Sequence, residues 1–306
     1  MGVKGINPQI MMGTAQLGLT YGITNRTGMP DDNETAKILA FAEKSGVSWI
    51  DTARAYGSAE KRLGEFLPGT SAFNIVTKLQ PMDLLPEDAP AREIVACVDA
   101  SIYKSRRELR RERLDVAMFH SSKDAQRANG AALERLGEHL KEGLIGAIGS
   151  SVYAVDEALK ALEDKRITHI QIPFNLLDSR WLCDMFLNQL RQRPDVKIHV
   201  RSVFLQGLLI NNADLWPSWF AERGETSEKI NVLVKRADRK NRIDLCLAYV
   251  RSFPWVSSLV LGAETLRQWE ELITLFAEPI LPEAQLAEVK AMFAGIPARL
   301  LNPSQW

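Results

Sequence analysis

The sequence has few cysteines, no long apolar run and no net charge, and each absence removes a class of protein. Its three cysteines, Cys97, Cys183 and Cys246, are far apart and odd in number, which argues against a disulfide framework and favours buried reduced thiols. No apolar run approaches the roughly 18 residues that span a bilayer, and the first ten residues lack an apolar core of signal-peptide length. We therefore expect a cytoplasmic protein without a membrane partner.

The charges of the chain are balanced, which limits the partners it can attract. Thirty-eight basic residues face 38 acidic ones in 306 residues, so there is no overall electrostatic attraction for nucleic acid. The most basic stretch, residues 104–113, is interleaved with glutamates, which favours a solvated helix face over a phosphate site. No His or Cys pair has metal-ligand spacing, and no metal is expected. No Gly-x-Gly-x-x-Gly follows a strand, which excludes a Rossmann dinucleotide fingerprint.

What the sequence does contain is a regular alternation. Eight short apolar runs alternate with longer segments of helical periodicity, which is the pattern of repeated βα units. The predicted strands are 8–13, 47–51, 73–78, 114–120, 145–150, 169–174, 197–204 and 256–262. The predicted helices are 33–45, 87–111, 124–141, 155–164, 179–191, 229–253 and 265–276, with Asn33, Asp124 and Ser179 as N-caps and Gly46 and Gly143 as stops. The pattern predicts an α/β protein with one domain over residues 1–306, a single (β/α)8 TIM barrel.

One segment, residues 207–227, is long and irregular but carries Leu215, Trp216, Trp219 and Phe220. Loops of that length and apolarity are usually functional. We predict a lid over the barrel mouth, and a contact surface between protomers is the alternative.

Four polar residues fall at the carboxyl ends of successive predicted strands or just beyond them: Asp51, Tyr56, Lys78 and His120. The carboxyl ends of barrel strands converge on the face where active sites are built. An aspartate holding an ammonium beside a phenol favours the phenolate, so we expect Lys78 to lower the pKa of Tyr56 from its usual value near ~10. With His120 orienting a carbonyl oxygen, the set suits protonation of a carbonyl as hydride arrives at its carbon. The hydride requires a nicotinamide cofactor, because no side chain supplies one.

From Gly13 to about Leu272 the chain resembles the aldo-keto reductase superfamily, in its bacterial form. The motifs are DTARAY, VTKL and AMFHSS, which carry the four residues in the order and spacing of that family's catalytic tetrad. MGTAQLG, IGSSVY, IQIPFN and VLGAETLRQWEEL match the family's first, fifth, sixth and eighth strand regions. The resemblance implies that Tyr56 is the general acid, that Lys78 and Asp51 tune it, and that His120 orients the substrate.

The resemblance also implies a set of cofactor-binding residues. Ser151 and Gln171 match contacts to the nicotinamide carboxamide, Thr14 matches a contact near the same ring, and Arg201 stands where an aromatic residue usually stacks on it. The full set is Thr14, Ser151, Gln171, Arg201, Ser202, Gly207, Gly262, Arg267, Gln268 and Glu271. Besides Arg201, three positions depart from the family: Val152 and Leu272 stand where asparagine is common, and Glu264 would repel a 2′-phosphate that Arg267 attracts.

The function that follows is reversible NAD(P)H-dependent reduction of an aldehyde or ketone to an alcohol. NADP(H) is favoured and NAD(H) is the alternative cofactor. Two other functions stay open: a cofactor-binding regulatory subunit with little turnover, and a barrel aldolase in which Lys78 forms a Schiff base. The expected partner is a small-molecule carbonyl substrate, and Arg54 could bind an anionic or sugar-like one. We expect a monomer, with a weak homo-oligomer as the alternative.

Overall fold

The computed structural model describes residues 8–23, 25, 27–67 and 71–306. Within these residues eight parallel strands form a closed barrel, in which each strand pairs with the next along the chain and the eighth pairs with the first. The strands are β1 (Gln9–Gly13), β2 (Trp49–Asp51), β3 (Asn74–Lys78), β4 (Val116–Phe119), β5 (Ile148–Ser151), β6 (Ile167–Pro173), β7 (Lys197–Arg201) and β8 (Ser258–Leu261). The predicted (β/α)8 TIM barrel is confirmed.

Helices surround the barrel and pack on it with their apolar faces. They are α1 (Ala15–Gly18), α2 (Asp32–Lys44), α3 (Ala59–Phe66), α4 (Ala91–Leu109), α5 (Arg127–Lys141), α6 (Val155–Glu163), α7 (Asp184–Arg191), α8 (Arg223–Arg236), α9 (Arg242–Arg251), α10 (Leu266–Phe276) and α11 (Glu283–Met292). The helices α1, α3 and α11 are not predicted by the sequence pattern, whereas α2, α6 and α10 lie within a residue of their predicted bounds. No helix of the described residues is long and apolar enough to cross a bilayer.

Several predicted helix starts are wrong for local reasons. The single helix expected over 229–253 is two helices, because Asp238 has a φ of +49° and the side chain of Asn241 accepts a hydrogen bond from the amide of Asp244 at 2.9 Å, which begins α9. Helix α4 begins at Ala91 rather than at residue 87, since Pro90 is its N-cap residue and disfavours helical backbone just before it. The segments 124–141 and 179–191 each begin with a 3₁₀ turn before α5 and α7.

The predicted N-caps are wrong and the predicted stops are confirmed. Helix α2 is capped by Asp31, whose Oδ1 accepts from the amide of Glu34 at 2.7 Å, and Asn33 lies inside its first turn. Asp124 lies inside the 3₁₀ turn Ser122–Gln126, and Ser179 makes no capping bond. Gly46 and Gly143 follow α2 and α5 with φ values of +81° and +77°, the left-handed conformation that glycine adopts without strain.

The interior of the barrel is stratified from bottom to mouth. A stacked histidine pair lies low in the barrel, where Nδ1 of His169 is 2.8 Å from Nε2 of His199. An apolar layer of Met11, Val76, Val116 and Met118 forms a separate buried cluster. Toward the carboxyl ends, Asp51, Lys78 and Gln171 form a buried polar layer. Alternate residues of a strand face the interior, so β6 contributes both its histidine and, two residues later, its glutamine.

The segment 207–227 packs against the protein rather than extending from it. Trp216 and Phe220 are buried, and Nε1 of Trp216 donates to the carbonyl of Leu208 at 3.0 Å. Trp219 is half-buried under the guanidinium of Arg299, 4.4 Å from its ring centre. Three of the four apolar side chains that suggested a lid therefore anchor this segment to the barrel, whereas Leu215 is exposed.

Candidate active site

A cavity of about 400 Å³ opens at the carboxyl ends of the strands and runs from the barrel centre to the first turns of α10. Asp51 and Tyr56 line its inner part. Nine of the ten predicted cofactor residues also line it, namely Thr14, Gln171, Arg201, Ser202, Gly207, Gly262, Arg267, Gln268 and Glu271. Ser151, Lys78 and His120 are not part of the lining, although Ser151 is the register partner of Gln171 on the adjoining strand.

Lys78 is the centre of the buried polar layer. Its Nζ donates to both carboxylate oxygens of Asp51 at 2.7 and 2.8 Å, to the carbonyl of Thr52 at 3.1 Å and to Oη of Tyr56 at 3.3 Å. The amide Nε2 of Gln171 also donates to Asp51 at 2.7 Å. Lys78 is 1% exposed, so its charge is compensated by the carboxylate and not by water. The sequence-predicted trio is thus one hydrogen-bonded unit.

Two glycines allow the loop of Tyr56 to lie against α1. A Cβ on Gly18 would sit 1.9 Å from the carbonyl oxygen of Tyr56, and one on Gly57 would sit 2.3 Å from the carbonyl oxygen of Gly18. Gly57 also has a φ of +55°. The amide of Tyr56 donates to the carbonyl of Ala53 at 3.0 Å and closes the turn. Close backbone approach, which only glycine permits here, therefore positions the phenol at the cavity wall.

The predicted lowering of the pKa of Tyr56 is wrong. Burial of the phenol raises its pKa, and the Asp51 carboxylate raises it further, while Arg201 acts in the opposite direction. Burial also lowers the pKa of Lys78, although Asp51 opposes that change. Burial disfavours the phenolate, and this effect exceeds the local attraction that the sequence suggests. Tyr56 is accordingly held as the neutral phenol.

His120 is a neutral imidazole next to Tyr56. Its ring lies edge-on to the Tyr56 ring with centroids 6.1 Å apart. Burial lowers the pKa of His120 to about 3, and the positive charges of Lys78 and Arg201 act in the same direction. Its Nδ1 is buried without a hydrogen-bond partner in the described residues. The imidazole is therefore uncharged at neutral pH.

The sequence suggested that Arg54 could bind an anionic substrate, but in the structure its side chain already pairs with two carboxylates. Its side chain is 6% exposed and contacts the carboxylates of Glu60 and of Glu108, the latter at 2.7 Å. Glu60 is 1% exposed and accepts a hydrogen bond from Oγ1 of Thr77 at 2.5 Å. The expected role of Arg54 is therefore wrong: it ties the Tyr56 loop to α3, to α4 and, through Glu60, to β3.

Arg201 ends β7 and lines the cavity. Its guanidinium carbon lies 4.1 Å from the centre of the Tyr153 ring, and its nitrogens are 3.2 Å from the carbonyl of Val152 and 3.4 Å from Oγ of Ser202. After Arg201 the backbone becomes left-handed at Ser202, with a φ of +58°, and again at Gln206. Such conformations in non-glycine residues concentrate at functional sites.

The far end of the cavity is formed by the start of α10, which carries its own caps. Oε1 of Gln268 accepts from the amides of Glu264 and Thr265 at 2.7 and 3.2 Å, and a carboxylate oxygen of Glu34 accepts from the amide of Leu266 at 2.7 Å. These amides are thus not free for a ligand. Exposed Arg267 lines the cavity at this turn and makes no ion pair with the described residues.

The sequence pattern missed some of the lining. Gln16 lies against Gly262, where a Cβ would meet its Oε1 at 2.3 Å, and Phe204 and Gln206 line the wall after β7. Gln16 lies two residues after Thr14 within a motif that the sequence singles out, which is the signal that could have found it. Among the described residues, no group of three His, Cys, Asp or Glu could hold a metal ion.

Comparison with known proteins identifies the family of this chain. A putative aldo-keto reductase from Pseudomonas aeruginosa has a similar structure, with a TM-score of 0.65 and 23% identity over 88% of this chain and 89% of that one. An aldo-keto reductase from Bacillus halodurans in its holo form gives a TM-score of 0.73 and 19% identity, over 93% of this chain and 91% of that one. At these identities the likeness shows the fold alone, and no curated protein matches the sequence. The sequence model of the Aldo/keto reductase family matches residues 9–293, so the chain belongs to the aldo/keto reductase family.

Proposed function

We propose that the chain, as one domain over residues 1–306, reduces an aldehyde or ketone to the alcohol with NAD(P)H, reversibly. The observation that carries the proposal is the Tyr56 phenol at the cavity wall, 3.3 Å from the Nζ of Lys78, which Asp51 holds through both oxygens. A bound nicotinamide supplies the hydride, which no side chain can provide.

Tyr56, Lys78, Asp51 and His120 have separate roles in the rest of the reaction. Tyr56 donates the proton from Oη, and because burial raises its pKa the phenol is in its protonated form at neutral pH. Once the proton has left, the ammonium of Lys78 faces the phenolate and Asp51 keeps it there. His120 is neutral, so it orients a carbonyl oxygen by hydrogen bonding without competing for the proton.

The cavity lining fits a dinucleotide, because it joins the reacting phenol to the start of α10 in one continuous cleft. Thr14, Ser151, Gln171 and Arg201 would hold the nicotinamide end. Ser202 and Gly207 would line the middle, and Gly262, Arg267, Gln268 and Glu271 the adenosine end. Gln171 already donates to Asp51, which leaves its oxygen as an acceptor for a carboxamide.

The charges at the adenosine end bear on the choice of cofactor. The guanidinium of Arg267, which forms no ion pair with the described part of the chain, favours the 2′-phosphate of NADP(H). Glu264, which accepts a hydrogen bond from Thr27 at 3.3 Å, and Glu34 at the start of α10 favour NAD(H). We propose NADP(H) as the preferred cofactor, with NAD(H) as the alternative. Replacement of Arg267 by Gln should then raise the Kd for NADPH more than that for NADH.

The test of the function is oxidation of NADPH and NADH with a panel of aldehydes, for the wild type and for Tyr56→Phe. We expect kcat to fall by about 10²–10⁴-fold in the variant, which is the usual contribution of general acid help. The Kd for NADPH, measured by fluorescence, reports whether the cleft is intact. Unchanged turnover in Tyr56→Phe would refute the proposed acid.

The other two functions are outcomes of the same experiment. Tight NADPH binding without turnover of any carbonyl would indicate a cofactor-binding regulatory subunit. Borohydride trapping of a Lys78 adduct would indicate a Schiff-base aldolase. The geometry disfavours the aldolase, since Nζ of Lys78 is bound by Asp51, Thr52 and Tyr56 and the residue does not line the cavity.

A further inference from the structure

Arg201 is a cation at the active site with no carboxylate partner among the described residues. Its polar contacts are a carbonyl and a hydroxyl, both longer than 3.1 Å, and its face rests on the neutral ring of Tyr153. No carboxylate of the described residues lies within ion-pair distance of it. A guanidinium has five N–H donors, so most of those of Arg201 remain for a ligand in the cavity that it lines.

Other partly buried arginines have different partners. Arg127, Arg242 and Arg251 make no ion pair with the described residues, but they donate to backbone carbonyls and do not line the cavity. Arg54, Arg62 and Arg239 each lie within ion-pair distance of a carboxylate. A partly buried charge without a partner is costly, and an anion bound next to Arg201 would offset that cost. Arg201 therefore stands out by its position: it is partly buried at the cavity and makes only two hydrogen bonds, both longer than 3.1 Å, with the described residues.

The charge of Arg201 reaches the reacting groups. It lines the same cavity as Tyr56, and its positive charge acts to lower the pKa of Tyr56, of Lys78 and of His120. The carboxylate of Asp51 is neutralised by Lys78, and His120 is uncharged. The inner half of the cavity thus carries one net positive charge, contributed by Arg201.

We propose that Arg201 is the specificity-determining residue for a carbonyl substrate that carries an anionic group, a carboxylate or a phosphate. The inference rests on the proposed reduction and names its substrate class. A planar guanidinium binds such anions through two parallel hydrogen bonds from its edge. Its free face remains available to a nicotinamide ring, because the edge and the face are separate surfaces.

The anion that binds Arg201 could instead be a phosphate of the cofactor, so the experiment has two arms. The substrate arm compares kcat/KM for 4-carboxybenzaldehyde and for its neutral isostere 4-carbamoylbenzaldehyde, and likewise for 4-oxobutanoate and 4-oxobutanamide. The cofactor arm measures the Kd for NADPH. Both arms use the full chain as wild type, Arg201→Gln and Arg201→Lys, with Arg267→Gln as the matched arginine at the far end of the cavity.

We expect the wild type to prefer the anionic member of a pair by about 10- to 100-fold, as a charge-assisted hydrogen bond predicts. Arg201→Gln should bring this ratio near one, mainly through KM, and Arg201→Lys should retain part of it. Arg267→Gln should leave the ratio unchanged while weakening NADPH. Circular dichroism and the Tm establish that each variant is folded.

Two results would overturn the proposal. One is equal kcat/KM for the anionic and neutral members of both pairs in the wild type. The other is an equal loss for both members in Arg201→Gln with a matching rise in the Kd for NADPH, which would assign the anion to the cofactor.

A binding measurement separates this inference from the proposed reduction. If no aldehyde is turned over, the alcohols 4-carboxybenzyl alcohol and 4-carbamoylbenzyl alcohol are titrated calorimetrically. Tighter binding of the anionic alcohol that is lost in Arg201→Gln would uphold the anion site and reject the reductase. Equal binding of the two alcohols would reject the anion site as well.

Discussion

The buried arginine of the Tyr56 loop offers the sharpest test of how this active site is held. Arg54 contacts two carboxylates, of which Glu60 is 1% and Glu108 21% exposed. In Arg54→Met the apolar stem remains and the charge is removed. The Glu60 carboxylate then keeps only the hydroxyl of Thr77 as a partner.

The size of the loss follows from that burial. Removing one partner of a buried ion pair costs about 3–5 kcal/mol, because the other charge stays buried and uncompensated. The matched control is Lys61→Met on the same helix, α3. Its partner is Glu65, in a pair whose side chains are 67% and 39% exposed. An exposed pair of this kind contributes about 0.5 kcal/mol or less.

The assay is urea unfolding followed by tryptophan fluorescence and far-UV circular dichroism. A double variant, Arg54→Met with Glu60→Gln, should recover part of the lost stability, since no unpaired carboxylate then remains at Glu60. The reasoning is refuted if Arg54→Met and Lys61→Met lower the free energy of unfolding by the same amount, or if the double variant is less stable than Arg54→Met.

Three further predictions follow from the geometry. Gly18→Ala should reduce kcat at least tenfold by displacing the Tyr56 loop, whereas Gly224→Ala, where an added Cβ meets nothing within 4 Å, should leave activity intact; equal kcat in both would contradict the close-approach argument. The pKa of His169 is lowered by burial to about 4, so the contribution of this residue to the free energy of unfolding should fall by about 3 kcal/mol as pH drops from 6.5 to 4, because the unfolded chain binds the proton first. Urea midpoints across this range should fall less steeply in His169→Asn, and an unchanged slope would be inconsistent with the burial of that imidazole. Because burial raises the pKa of Tyr56, kcat/KM for reduction should not decline between pH 7 and 9. A decline in this range that disappears in Lys78→Met would show instead that Lys78 lowers the pKa of Tyr56, as the sequence suggested.

The local sequence pattern predicted the strands well and some of the helices poorly. The predicted strands lie close to the observed ones, because barrel strands are buried and appear in the sequence as short apolar runs flanked by polar residues. The break between α8 and α9 was missed, since the apolar periodicity continues across it while one left-handed residue and the Asn241 cap reset the helix. Helix α3 was missed because it directly follows the motif of the Tyr56 loop and is only eight residues long.

The sequence by itself determined the barrel, because the alternation of strands and helices repeats eight times. It also identified residues of the buried polar layer, because they are polar residues at the ends of successive strands. Only the tertiary structure decided which arginines near the site already have a carboxylate partner. Arg54 is neutralised by Glu108, 54 positions away, while Arg201 has no carboxylate partner in the described residues. It also decided the direction of the Tyr56 pKa, because burial depends on every element that covers the phenol and not on the neighbours in its motif.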